Sequence, residues 1–276
     1  MTAASTLRRI AILLIALLWA NAWPSAEPTN TKFAKRLANA HLAGSALPQL
    51  SAAKPGATLA DEYDVQKLFI GKLTKKHKGI AGFKGAVAGE GGQKALKLEG
   101  PLSAVLFRDG WLEAGGRLNI RLGKFPGTKI ETEVGFIIGE AITKPIVPVI
   151  ELPAGSLKTP RPLSAVDLAA ANVMSAKYIV GRRNPPAKVN PDKATIRLAK
   201  RLAKGDTEKN KTTGAAAHRG QWWNLLHQVN HALGQGHTIQ PGQLILTGAL
   251  GKIIPAEPGD WAADFGELGT IQFSLQ

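Results

Sequence analysis

Two acids interrupt an otherwise apolar stretch, Lys129-Ile130-Glu131-Thr132-Glu133-Val134-Gly135-Phe136-Ile137-Ile138-Gly139. In a β-strand, residues two apart share a face, so Glu131 and Glu133 stand side by side, roughly 7 Å apart at their Cα atoms for a rise of about 3.3 Å per residue. Ionised carboxylates in a part-buried strand repel each other and resist desolvation unless positive charge joins them. A divalent cation with oxygen ligands supplies that charge, which makes the pair a candidate metal platform. The alternative is an edge strand with both acids in solvent. Lys84 raises a similar question inside the run Ile80-Ala81-Gly82-Phe83-Lys84-Gly85-Ala86-Val87, where it is either a surface side chain snorkelling outward or a buried functional lysine. Glu151 also interrupts an apolar run, Ile146 to Leu152. His227 and His231 stand at i, i+4, but no Glu follows His227 as a zinc-binding H-E-x-x-H helix requires, so hydrogen-bonded helix histidines are the simpler reading. The chain has no cysteine, which excludes disulfides, thiolate metal sites and thiol nucleophiles and leaves the chemistry to carboxylates, lysine, histidine, hydroxyls or a bound metal.

These residues need a fold to hold them, and 276 residues at 44% hydrophobic content can bury one sizeable core or two small ones. The formal net charge of +15, from 35 Lys and Arg against 20 Asp and Glu, admits a nucleic-acid, membrane-surface or acidic-substrate partner. The basic residues are spread in short groups such as Lys75-Lys76-His77-Lys78 and Arg182-Arg183, without aromatic interleaving or a nucleic-acid-binding signature. A general basic surface suits a small anionic substrate equally well, and no nucleic-acid partner is expected. At the N-terminus, Arg8-Arg9 precede an apolar run from Ile10 to Trp19 and the small-residue segment Ala20 to Ala26, the pattern of a cleavable secretory signal over residues 1–26. The run is short of the roughly 20 residues of a membrane span. A periplasmic or secreted protein, free of the membrane once processed, is the expectation.

Residues 27–78 read as a helical region, with helices over Thr31 to Leu42 and Leu59 to Lys76 joined by a Pro-containing connection. From residue 79 the pattern becomes β-rich to the end of the chain, forming one domain with the helices. Strands are expected over Ile80 to Val87, Ala104 to Phe107, Leu118 to Leu122, the Glu131 segment, Ile146 to Leu152, Val173 to Val180, Thr195 to Leu202, Leu244 to Gly248 and Thr270 to Leu275. Helices are expected over Leu163 to Ala171, opened by Ser164, and over Gln221 to Gly234. Gly89 to Gly92 reads as a flexible loop and Pro258-Gly259-Asp260 as a turn.

The C-terminal segment Gln243-Leu244-Ile245-Leu246-Thr247-Gly248-Ala249-Leu250-Gly251, with Pro258-Gly259-Asp260 and Phe265-Gly266-Glu267-Leu268-Gly269-Thr270-Ile271, resembles the signature of the 2-keto-4-pentenoate hydratase family in the fumarylacetoacetate hydrolase superfamily. The likeness continues upstream through Thr213 to Ala216, Ala169 to Val173, Ile150 to Pro153, the Glu131 strand, Val105 to Phe107 and Gly82 to Lys84. It implies an α+β fold, a mixed β-rich roll around a divalent metal, Mg²⁺ or Mn²⁺. It assigns the metal to Glu131, Glu133 and Glu151, the active-site lysine to Lys84 and a substrate-facing hydroxyl to Thr247. Lys84, expected beside a dication, should then have a lowered pKa. The implied reaction is addition of water to a 2-hydroxydienoate or 2-oxo-enoate acid, carried out by a homo-oligomer. Decarboxylation of a 2-oxo acid, hydrolysis of a C–C bond, or silent binding of a small acid in the periplasm are the alternatives. Gly85 follows Lys84 directly where the family commonly has an aliphatic residue before its glycine, and an export signal is unusual in the family.

Overall fold

The computed structural model describes residues 29–276 except 117, 124–126, 140–144, 160–161 and 163, so the signal read at residues 1–26 lies outside the described residues. The chain opens with helices α1 (Thr29–Ala43), α2 (Leu50–Ala53) and α3 (Leu59–Leu73). Thr58 starts α3 through a capping box: its hydroxyl accepts from the Asp61 N–H, and the Asp61 carboxylate accepts from the Thr58 N–H. Phe33 and Leu37 of α1 join Phe69 and Leu73 of α3 in the main core.

The remainder runs β1 (Ile80–Ala86), α4 (Glu90–Leu96), β2 (Leu102–Phe107), β3 (Trp111–Glu113), β4 (Leu118–Ile120), β5 (Lys129–Ile137), β6 (Ile146–Leu152), α5 (Ala165–Ala170), β7 (Lys177–Val180), β8 (Thr195–Arg201), β9 (Thr207–Thr213), α6 (Gln221–Gly234), β10 (Leu244–Leu246), β11 (Ile254–Pro255), β12 (Gly259–Asp264) and β13 (Thr270–Leu275). Two expectations change. Gly89 to Gly92 is not a free loop: Gly89 is the N-cap of α4, and Gln93 secures that turn by donating to the Val87 carbonyl at 3.1 Å. Pro258-Gly259-Asp260 leads into β12, a strand that the turn residues conceal.

The larger sheet has the order β2-β1-β10-β5-β6-β7-β3, with β11 also paired to β5; the smaller has the order β4-β13-β12-β8-β9. Tyr178 on β7 donates its hydroxyl to the Phe107 carbonyl of β2 at 2.9 Å, so strands near opposite ends of the larger sheet meet and the sheet rolls on itself. Strand alternation then sorts side chains between two faces. Ile130, Val134 and Phe136 of β5 join the main core with Phe83, Ile150 and Ile245. The opposite face gathers a smaller cluster that includes Leu106, Ile137, Val147, Val149, Leu244 and Leu246. Glu131 and Glu133 fall on this second face. Gly82 makes the tight roll possible, because a Cβ there would lie 1.9 Å from the Leu244 carbonyl oxygen on the neighbouring strand.

The helical region carries one unusual group. Glu62 on α3 is buried, and neither carboxylate oxygen has a hydrogen-bond partner among the described residues. Asp167, by contrast, accepts from Ser51 N at 2.9 Å, Ser51 Oγ at 2.7 Å and Gln49 Nε2 at 3.1 Å. Burial, reinforced by the charge of Asp167, pushes the Glu62 pKa from 4.5 to about 9. The unfolded chain therefore releases this proton at lower pH than the folded one, and stability falls as pH rises between those two values. By pH 7 the loss amounts to about 3 kcal/mol, an order-of-magnitude figure at about 1.4 kcal/mol per pH unit. Glu62→Met should flatten this decline and make the protein more stable than wild type at pH 8. Urea unfolding of both proteins at pH 5 and pH 8 measures it, and parallel pH dependences would contradict the assignment.

Candidate metal centre

Register brings the charged residues together. Antiparallel pairing of β5 with β6 sets Glu131 directly opposite Glu151 and Glu133 opposite Val149, so all three glutamates share one face. Lys84 belongs to the same face through the row Lys84, Leu246 and Gly135 across β1, β10 and β5. Gly135 leaves space in that row, since a Cβ would come within 2.9 to 3.1 Å of Leu244, Val147 and Leu246 side-chain atoms. Glu133, Glu151 and Lys84 are buried, and Glu131 is partly exposed toward a cavity.

Lys84 Nζ donates to both oxygens of Glu151, at 2.6 and 2.7 Å. One oxygen of Glu133 accepts from the Gly248 N–H at 3.0 Å, while the other, Oε1, has no hydrogen-bond partner among the described residues. Gly248 is required at that position. Its φ is +108°, and a Cβ would lie 2.6 Å from the Ala88 Cβ. Ligand oxygens from Glu131, Glu133 and Glu151 lie within 4.8 Å of one another.

The electrostatics follow from three acids facing one lysine. Burial, then repulsion from Glu151, raises the Glu131 pKa to about 7 against the opposing pull of Lys84. The same burial and repulsion hold Glu133 well above its ordinary value. A lowered Lys84 pKa belongs to the site with a dication bound, whereas the protein groups alone shift it upward. Burial, the largest influence, does act downward, but attraction to Glu151, Glu131 and Glu133 reverses the sign and the pKa is raised. The fold pairs the ammonium with the Glu151 carboxylate, and a dication held by the same carboxylates would act on it in the opposite sense.

This donor set fits a divalent cation. Three hard oxygen ligands converge, one buried carboxylate oxygen lacks a partner, and one ammonium leaves excess negative charge when the acids ionise. Pairing with Lys84 does not disqualify Glu151, because carboxylate oxygens retain further lone pairs.

Lys84 and Glu131 line a cavity of about 480 Å³ whose other walls are mainly apolar, including Val87, Leu96, Leu157, Leu168 and Ile253. Lys129 also lines it, two residues before Glu131 and so on the same strand face; the period-two reading that picked out the acids would have found it. Val173 and Met174 complete one wall from a turn in which Asn172, Val173 and Met174 have φ of 52°, 45° and 54°. Asn172 anchors that turn by accepting from Val105 N at 2.7 Å and donating to Val105 O at 3.0 Å. No sequence pattern announced three consecutive left-handed residues without glycine.

Thr247, expected to face substrate, follows β10 directly. It is fully buried, with its hydroxyl 3.0 Å from the Val134 carbonyl and 2.5 Å from Gln221 Oε1, and it does not line the cavity. Its position just beyond β10 turns it toward α6, leaving Gly248 to meet Glu133. The histidines of α6 do not assemble a metal site among the described residues. The His227 and His231 rings are 6.2 Å apart, with His227 Nε2 3.1 Å from the Pro101 carbonyl and His231 against Tyr63.

No protein-family model matches the chain. It is 23% identical to a 4-oxalocrotonate decarboxylase of Pseudomonas sp., over 88% of this chain and 97% of the relative. It is 24% identical to 2-oxo-hept-4-ene-1,7-dioate hydratase of Escherichia coli, over 88% of this chain and 96% of the relative. In fold it matches 4-oxalocrotonate decarboxylase from Pseudomonas putida G7, a structure complexed with magnesium and adipate, with a TM-score of 0.80, 20% identity and coverage of 90% and 97% of the two chains. Over nearly its whole length, then, the chain is similar in sequence to hydratases and a decarboxylase, and it shares the fold of 4-oxalocrotonate decarboxylase.

Proposed function

We propose that the protein is a divalent-metal-dependent hydro-lyase that adds water to a small 2-hydroxydienoate or 2-oxo-enoate acid. The observation that carries this reading is the convergence of Glu131, Glu133 and Glu151 with Lys84 at one side of a largely apolar cavity. The three glutamates would hold Mg²⁺ or Mn²⁺, which when bound supplies Lewis acidity toward a 2-oxo acid and balances the charge of its enolate form. Relatives named as a hydratase and as a decarboxylase support chemistry at a 2-oxo acid.

The chain's own groups have distinct tasks. Lys84 Nζ is the proton-bearing atom of the site: it orients an incoming carboxylate and passes a proton to the carbon skeleton as the enol ketonises. Gly248 N–H fixes one Glu133 oxygen and leaves the other, buried and without a hydrogen-bond partner among the described residues, for a metal. The apolar walls receive the hydrocarbon part of the substrate and strengthen the charge interactions beside it.

Outside the site, the segment from Arg8 to Ala26 supports export to the periplasm. The α6 surface supports assembly with further copies of the chain, because Trp222, Leu226 and Leu233 remain exposed along it.

Three measurements test these readings. Metal-stripped protein titrated with Mg²⁺ or Mn²⁺ in the presence of oxalate should bind both, with affinity reduced at least about tenfold in Glu131→Gln plus Glu133→Gln. Unchanged metal affinity in that variant sinks the ligand assignment, and tight binding without turnover of any dienoate makes the protein a silent binder. Lys84→Met should destabilise the protein in EDTA by about 3–5 kcal/mol, because Glu151 loses its buried partner. Added Mg²⁺ should then raise Tm more than in wild type, and an unaltered Tm in EDTA would deny the pair its role. Finally, protein recovered from a periplasmic fraction should begin near Trp23 or Glu27 and sediment as more than one copy. An intact Met1 or Thr2 counts against export, and a monomer against assembly.

A further inference from the structure

Helix α6 buries a polar face. Gln221, Asn224 and Gln228 are fully buried along it, where carboxamides are costly to desolvate unless they are hydrogen-bonded. Asn224 Nδ2 serves the turn that opens the helix, donating to the His218 carbonyl at 2.8 Å and the Gly220 carbonyl at 2.7 Å. Gln228 Oε1 accepts from Ser103 Oγ of β2 at 2.6 Å. Gln221 reaches instead to the segment that carries Gly248.

Gln221 is held through both backbone and side chain. Its N–H donates to Asp192 Oδ1 at 2.8 Å, which supplies the helix cap that Gly220, without a side chain, cannot. Its Nε2 donates to the Gly214 carbonyl at 2.7 Å, and this orients the carboxamide so that Oε1 faces Thr247. Thr247 Oγ1 has one proton to give and lies nearer to Gln221 Oε1, at 2.5 Å, than to the Val134 carbonyl, at 3.0 Å. The next N–H in the chain, that of Gly248, holds one oxygen of Glu133 at 3.0 Å. The segment has little room to shift. A Cβ on Gly85, beside Lys84, would stand 3.0 Å from the Thr247 carbonyl oxygen, and one on Gly248 2.6 Å from the Ala88 Cβ.

We propose that Gln221 and Thr247 are positioning residues for the metal centre. The Gln221 carboxamide holds the Thr247 hydroxyl, this sets the Gly248 N–H on one oxygen of Glu133, and the other oxygen is thereby kept in place for the cation. Neither residue touches the ion; both act through the orientation of a ligating carboxylate, which governs how tightly that carboxylate holds metal. The inference rests on the reading of Glu133 as a metal ligand.

Mn²⁺ affinity of the full, metal-stripped chain, read from the paramagnetic resonance signal of free Mn²⁺, tests this without any substrate. Thr247→Val and Gln221→Met keep the bulk and remove the hydrogen bond, and each should weaken Mn²⁺ binding about five- to tenfold. Thr247→Ser, which keeps the hydroxyl, should bind within about twofold of wild type. The two side chains act through one bond, so Thr247→Val plus Gln221→Met should bind no more weakly than the weaker of the single variants. Thr247→Val is the milder change and remains informative if Gln221→Met folds poorly. Gln66→Met removes another buried carboxamide, one that donates to the Ser103 and Ala169 carbonyls. It should lower Tm and leave Mn²⁺ affinity at the wild-type level, which separates positioning from general destabilisation. Three results overturn the proposal: unchanged Mn²⁺ affinity in Thr247→Val, an equal loss in Gln66→Met, or losses that multiply in the double variant. If affinity is unchanged in Thr247→Val but lost in Glu131→Gln plus Glu133→Gln, the positioning role alone fails; if it is unchanged in both, the metal centre fails with it.

Discussion

Three carboxylates and one ammonium share a sheet face largely removed from water, and the contact between Lys84 and Glu151 is the interaction on which that arrangement rests. Buried ions are tolerated where geometry and hydrogen bonding compensate for lost hydration. Both Glu151 oxygens receive Lys84, but that leaves Glu131 and Glu133 with raised affinity for protons. A divalent cation among the three acids addresses the same imbalance in another way, and apolar packing around the cluster makes charge compensation more consequential there than it would be in solvent.

The strand register enforces this concentration of charge. A one-residue slip between β5 and β6 would remove Glu151 from its place opposite Glu131, and a one-residue change of strand face would send both β5 acids into the main core. Gly82 and Gly135 supply the room that side chains would deny, the first to the Leu244 backbone and the second to the aliphatic groups around it. The helices are less directly involved. Gln221 of α6 holds Thr247, and the chain then turns so that Gly248 N–H reaches Glu133.

Much of this could be read from residue order because the relevant signals were local. Glu131 and Glu133 are two apart on a strand, Glu151 breaks a second apolar run, and α6 spans Gln221 to Gly234 as its periodicity indicates. What escaped depended on neighbours distant in the chain. The contact of Lys84 with Glu151 and that of Thr247 with Gln221 required knowing which strands and helices meet. The strand β9, Thr207-Glu208-Lys209-Asn210-Lys211-Thr212-Thr213, has almost no apolar alternation and is recruited by pairing with β8. Its buried Asn210 donates to Thr132 Oγ1 and to the Leu250 carbonyl, contacts invisible to a periodicity argument.

The left-handed backbone at the cavity wall has a further consequence. Val173 has φ of 45° and Val87 has φ of 60°, and both β-branched side chains line the same space. A β-branched residue in this region is sterically disfavoured, on the order of 1–2 kcal/mol for each. Glycine would relax the backbone at either position while erasing the methyl groups that shape the wall. Ease of folding and the contour offered to a guest molecule therefore pull these two positions in opposite directions, and the chain carries valine at both.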